Sequence, residues 1–240
     1  TAFSNPDKAW PVNLAVKTEN ATLTLDGTVK DPLARLGIEL NFTLKGKDLA
    51  SFKQFSGERL PLGGPFDISG RFADTARNAY SISNLKVIQG ENDLSGSVAL
   101  HVTENLPKVT AVLVAQKLDL RPYFEVSPDT GKTAKDLSKK AGKEDRIFSD
   151  HPLPLETLKQ ADADVKIHAA QVLLPHLPLN SLDMDMVLKD GTLTVKPFKA
   201  VLGKGSMDGQ LSLQSRGKAA SLAMVFKINE LDVSYVTKGL

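Results

Sequence analysis

At 240 residues, 41% of them hydrophobic, the chain is long enough to bury a sizeable core in one large domain or two smaller ones. Lys and Arg (30) nearly balance Asp and Glu (28), which excludes the basic stripe of a nucleic-acid footprint. The absence of Cys excludes a disulfide framework, a thiolate metal site and a thiol nucleophile.

No run reaches the 18 or so apolar residues of a membrane-spanning helix, and no signal peptide is visible. The chain opens at Thr1 rather than Met, so the expectation is an excised or processed region whose anchor, if any, lies elsewhere.

In chain order, Ile38, Leu40, Phe42 and Leu44 alternate with Glu39, Asn41, Thr43 and Lys45, the period of a half-buried strand. Asp48 can cap a short helix carrying Leu49, Phe52 and Phe55. Residues 125–147 are charged and poor in large apolar side chains, and read as a mobile loop or linker. Pro154, Leu155 and Leu158 suggest a second short helix. Ala163, Val165, Ile167 and Ala169 then share a strand face opposite Asp164, Lys166 and His168. Leu182, Met184, Met186 and Leu188 repeat the pattern, and Asp190-Gly191 marks a hairpin because Gly accepts positive φ. Leu222, Met224, Phe226 and Ile228 form a last such face.

A repeat underlies these strands. Shifting by 113 aligns 82–119 with 195–232 without a gap, matching Lys86 to Lys199, Gly90 to Gly203, Gly96 to Gly209 and Leu118 to Leu231. A shift of 69 places Lys17, Gly27 and Leu49 on Lys86, Gly96 and Leu118. The organisation expected is a two-copy section over 1–124, the linker over 125–147 and a third copy over 148–240, continuous with the first sheet. The fold class is mainly β, a repeated antiparallel sheet with a few short helices. Its apolar face is either the core of a closed sandwich or the wall of an open trough. About twelve strands at roughly 4.8 Å would give a sheet on the order of 60 Å long.

Sharper chemical readings fare poorly. His101, His151, His168 and His176 form no ligand pair, so no metal is expected. Asp162/Asp164 and Asp183/Asp185 have the spacing that puts both carboxylates of each pair on a solvated strand face, not a catalytic one. Gly203-Lys204-Gly205-Ser206 lacks the rest of a P-loop and reads as a Gly-rich bulge. No Gly-x-Ser-x-Gly elbow occurs. The chain is expected to be non-enzymatic, without catalytic residues or cofactor.

Leu118-Asp119-Leu120 with Tyr123-Phe124, a charged loop, Leu153-Pro154-Leu155, Ala161 to Val165, Leu177-Pro178-Leu179, Asp190-Gly191, Leu193, Pro197, Gly203, Gly205 and Gly209 follow one another in an order that resembles the AsmA family, related to TamB and YhdP. The likeness is good over about residues 90–240 and looser over 1–89. It implies a long, curved, groove-like (taco-shaped) sheet in the periplasm, in a parent anchored in the inner membrane. It also implies lipid binding and transport between the two membranes, with phospholipid or another membrane lipid as partner and envelope proteins as further partners. The alternative role is a structural or assembly factor for outer-membrane biogenesis. On the groove reading the lining is Val165, Ile167, Leu182, Met184, Met186, Leu188, Leu193, Val195, Leu211, Leu213, Leu222, Met224 and Phe226. Thioethers suit such an adaptable wall.

Overall fold

A computed structural model describes residues 8–31, 36–49, 63–122, 157–175, 178–216 and 219–230. The first strands are β1 (Trp10–Lys17), β2 (Ala21–Asp31), β3 (Leu36–Gly46), β4 (Phe66–Ala76), β5 (Ala79–Gln89), β6 (Asn92–His101) and β7 (Lys108–Ala115). After them come β8 (Leu118–Asp119), β9 (Asp162–Ala169), β10 (Val172–Leu173), β11 (Ser181–Lys189), β12 (Thr192–Leu202), β13 (Gly205–Arg216) and β14 (Ala219–Asn229). Twelve of them form one open sheet in the order β1-β2-β3-β4-β5-β6-β7-β9-β11-β12-β13-β14, while β8 and β10 pair separately. The mainly-β, groove-like fold class expected from the sequence is thus the one observed.

Turn chemistry sets the hairpins. Asp190 and Gly191 both have positive φ (50° and 73°), the conformation that joins β11 to β12 without splaying them. Gly203-Lys204, expected as a bulge, is instead the two-residue turn between β12 and β13, with Gly203 at φ 60°. A Gly there permits the tight reversal, and the neighbouring strands run regularly on either side of it.

Two bulges elsewhere obey the repeat. On β5, Ser83 and Asn84 are inserted between Ile82 and Leu85, opposite the stretch from Val98 to Gly96 on β6. On β12, Lys196 and Pro197 are inserted between Val195 and Phe198, opposite Leu211 to Gly209 on β13. Every one of these positions differs from its counterpart by 113. The extra residue corrects phase: Ile82 and Leu85 stand three apart, and without the insertion they would face opposite sides. The strand bounds of β5 (79–89) likewise map onto those of β12 (192–202). Gly96 and Gly27, matched by the shift of 69, share a second feature. A Cβ on either would come within 2.0 Å of a carbonyl oxygen of the next strand, Val112 and Glu39 respectively, so only Gly fits.

One joint departs from antiparallel pairing. β7 and β9 run parallel, from Lys108 opposite Asp162 to Ala115 opposite Ala169. Parallel neighbours require the chain to leave at one long rim of the sheet and re-enter at the other. We call the rim where β3, β7, β9 and β12 end the near rim, and the opposite one the far rim. The two expected short helices and the 125–147 linker fall largely outside the described residues. Within them, Thr157–Lys159 forms a 3-10 turn before β9. The Asp48 carboxylate accepts the Gly64 N–H at 2.8 Å, closing the segment between β3 and β4.

Candidate functional site: one apolar face across twelve strands

The ladder registers place side chains in rows that cross the sheet. Val165, Met186, Val195, Leu211 and Met224 are successive partners on β9, β11, β12, β13 and β14. Ala163, Leu188, Leu193, Leu213 and Leu222 form the next row toward the far rim. Ile167, Met184, Phe198, Gly209 and Phe226 form the next toward the near rim, followed by Ala169, Leu182, Ala200, Met207 and Ile228. All the residues expected to line a groove therefore stand on one face, since side chains opposite one another in a ladder share a face. Phe198 and Phe226 meet edge to face at 5.5 Å over Gly209, where a Cβ would lie 2.2 Å from the Phe226 ring.

The same face continues through the first half of the sheet. Val109 pairs with Leu100, Leu100 with Tyr80, Ile82 with Phe72, Phe72 with Leu40 and Leu25 with Leu14. These positions, together with Phe198, Met207 and Ile228, were not in the expected lining. The signal for many of them was present: moving Leu211 and Leu213 back by 113 gives Val98 and Leu100. Across the whole face the large side chains are seldom fully buried, and at the β14 edge Leu222 and Met224 are 52% and 54% exposed.

The opposite face is wet and charged. His168, Asp183, Lys199, Asp208 and Lys227 are direct cross-strand partners in one row of alternating sign. His168 Nδ1 lies 2.5 Å from Asp183 Oδ1, and the Lys166 ammonium 3.7 Å from Asp185. The carboxylate pairs noted in the sequence thus occupy this solvated ladder, Asp162 and Asp164 facing Lys108 and Thr110 of β7. Exposed pairs of this kind contribute about 0.2–1 kcal/mol each, so their main effect is to define which face meets water. Among the described residues no three His, Asp or Glu side chains converge as metal ligands. His151 and His176 lie outside the described residues.

A local clip covers part of the apolar face. Leu118 N–H donates to Gln171 O and Leu120 N–H to Leu173 O, both at 2.9 Å, holding β8 parallel to β10. Val172 and Leu179 exchange backbone bonds of 3.0 and 2.7 Å. The side chains of Val172 and Leu179 are 1% and 5% exposed, buried with Ala115, Ala169, Leu182, Ala200 and Leu202. Polar groups lock this clip to the sheet. Asp93 Oδ1 accepts the N–H groups of Gln116 and Lys117 at 2.6 and 3.1 Å, and Asn92 Oδ1 accepts that of Asp119 at 2.5 Å. The Arg121 guanidinium binds both Asp119 oxygens, at 2.8 and 2.5 Å, and this hydrogen bonding holds the Asp119 carboxyl below its ordinary pKa despite opposing desolvation.

Sequence comparison places the chain in a family: the profile of the AsmA family matches residues 4–240. The chain belongs to the AsmA family. A curated relative, AsmA family protein YhjG of Escherichia coli (strain K12), is 27% identical over 258 aligned residues, covering 96% of this chain. The chain spans 37% of the length of that relative. No solved structure matches it. The family match takes in residues 4–89, where the sequence resemblance was looser.

Proposed function

We propose that this chain is a periplasmic lipid-binding and lipid-conducting module, part of a parent anchored in the inner membrane. It would shield acyl chains against its apolar face between inner and outer membranes. The observation that carries this reading is the apolar face that runs over twelve hydrogen-bonded strands and that, among the described residues, only the short β8–β10 clip covers in part. Membership of the AsmA family supports a role in envelope and outer-membrane biogenesis.

The energetics follow from transfer. Each CH₂ withdrawn from water contributes roughly 0.8 kcal/mol, so exposing a sixteen-carbon chain costs on the order of 12 kcal/mol. A continuous apolar wall offsets most of that along its length without bond chemistry. The chain itself then needs no catalytic group, and direction comes from lipid supply or partner proteins. Photo-crosslinking residues placed in turn on the two faces of β14 test the reading. Phospholipid adducts are expected from Leu222 and Phe226 and not from Ser221 or Lys227. Lipid adducts from neither face would overturn it.

The second reading, an assembly factor working through protein contacts, draws on the β14 edge. Val225, on the charged face, is 66% exposed beside the exposed Met224, so this edge strand presents apolar side chains on both sides. Protein adducts confined to Val225 and its edge neighbours, without lipid, would favour that role.

A further inference from the structure

The clip lies over only part of the apolar face. Its buried cluster takes in Leu182 and Met184 of β11 but not Met186 or Leu188. On β12 it takes in Phe198, Ala200 and Leu202 but not Val195 or Leu193. Ala115 on β7, Ala169 on β9 and Met207 on β13 belong to it, and their far-rim neighbours do not. The covered area is therefore the near-rim half of β7 to β13. Three of the sheet residues under it are Ala: Ala115, Ala169 and Ala200. Small residues at those points make room for Val172 and Leu179 to sit on the sheet.

We propose that Val172 and Leu179 are positioning residues that close the near-rim half of the apolar face between β7 and β13, confining acyl chains to the far-rim side chains of Val165, Met186, Leu211, Leu188, Leu193 and Leu213. This rests on the lipid reading above and adds the path to it. The clip occupies the volume that a lipid would need, packed at interior density, so a chain crossing this section can enter only beside it. Four residues of strand lie between the clip and the far rim, a strip about 14 Å wide at 3.4 Å per residue, in which Val195 and Ala111 are themselves buried and the neighbouring Met186, Leu188, Leu193, Leu211 and Leu213 are only partly so. The clip does not lift readily, because the Ala170 and Asn180 N–H groups donate to Ala115 O and Val201 O of the sheet and its other end is held through Asn92 and Asp93. Beyond it, at β14, the near-rim position Ile228 is 53% exposed, so the confinement is local to this section.

The four Met residues, all on the apolar face, are natural reporters. Met184 and Met207 pack against the clip, and Met186 and Met224 lie outside it. Oxidation by dilute peroxide is followed by mass spectrometry on the unaltered chain, before and after equilibration with phosphatidylethanolamine–phosphatidylglycerol vesicles. The lipid is expected to slow Met186 and Met224 about tenfold while leaving Met184 and Met207 nearly unchanged, because packed side chains are already excluded from any ligand. Photo-crosslinking residues at Leu188 and Leu213 should give lipid adducts, and those at Met184 and Met207 should not. Equal protection of all four Met, or adducts of equal yield at both sets, overturns the confined path and leaves lipid binding standing. No protection and no adduct at any position overturns both.

Discussion

Asp119 joins the charged and apolar parts of the molecule, because its carboxylate grips Arg121 while its backbone N–H is held by Asn92 at the base of the clip. Its lowered pKa fixes the sign of its pH dependence. The stabilisation is fully present above the ordinary Asp value of about 3.9 and is lost as pH falls through the lower folded value. Asp119→Asn should therefore reduce the urea midpoint by a constant amount from neutral pH down to about 4, with the difference from the parent shrinking below that. A difference that stays constant into stronger acid would contradict this assignment. At the same scale, Gly96 and Gly27 show how little the sequence conceals when a residue is irreplaceable. Both stood out from spacing alone, and both proved to be sites where backbone oxygen leaves no room for a side chain. Asp119 was legible as part of a Leu-Asp-Leu pattern and as the repeat counterpart of Asp232, but its contact with Asn92, 27 residues away, was not.

Among elements, the clip and the β14 edge should separate stability from binding. Leu179 is 5% exposed and Leu222 52%. Leu179→Ala is expected to lose about 2–5 kcal/mol in urea unfolding, the range for emptying a packed Leu site. Leu222→Ala should change stability by less than about 0.5 kcal/mol yet reduce the lipid bound. Similar losses for the two variants would mean that the β14 face is covered as the clip region is. The strands themselves were readable, because alternation of Leu, Met and Val with Asp, Lys and Thr fixes which side is apolar, and Asp190-Gly191 fixes a hairpin. The parallel joint of β7 and β9 was not, since a parallel and an antiparallel strand share the same period of two. Nor was the clip, as β8 and β10 are two residues each and too short to carry a period. The bulges left a trace that could have been followed: apolar residues slip phase between Ile82 and Leu85 and again between Val195 and Phe198.

Over the described residues, a repeat of three strands, with its bulge kept in the copies that begin at β5 and β12, lengthens a single sheet instead of folding one sheet onto another. That choice leaves the cross-strand ladder to supply cohesion, with little buried core beyond the clip. Of the two readings of the apolar face left open by composition and period, connectivity favours the unclosed sheet: among the described residues only the short β8–β10 pair of the clip lies over the twelve strands. Such a face demands an apolar occupant, and the central claim is that the occupant is lipid. Native mass spectrometry of the chain purified from cells in mild detergent-free buffer tests it most directly. Retained phospholipid is predicted, released when Phe226 and Met186 are replaced together by Asp; a chain that emerges at its bare mass, with and without those substitutions, would contradict the account.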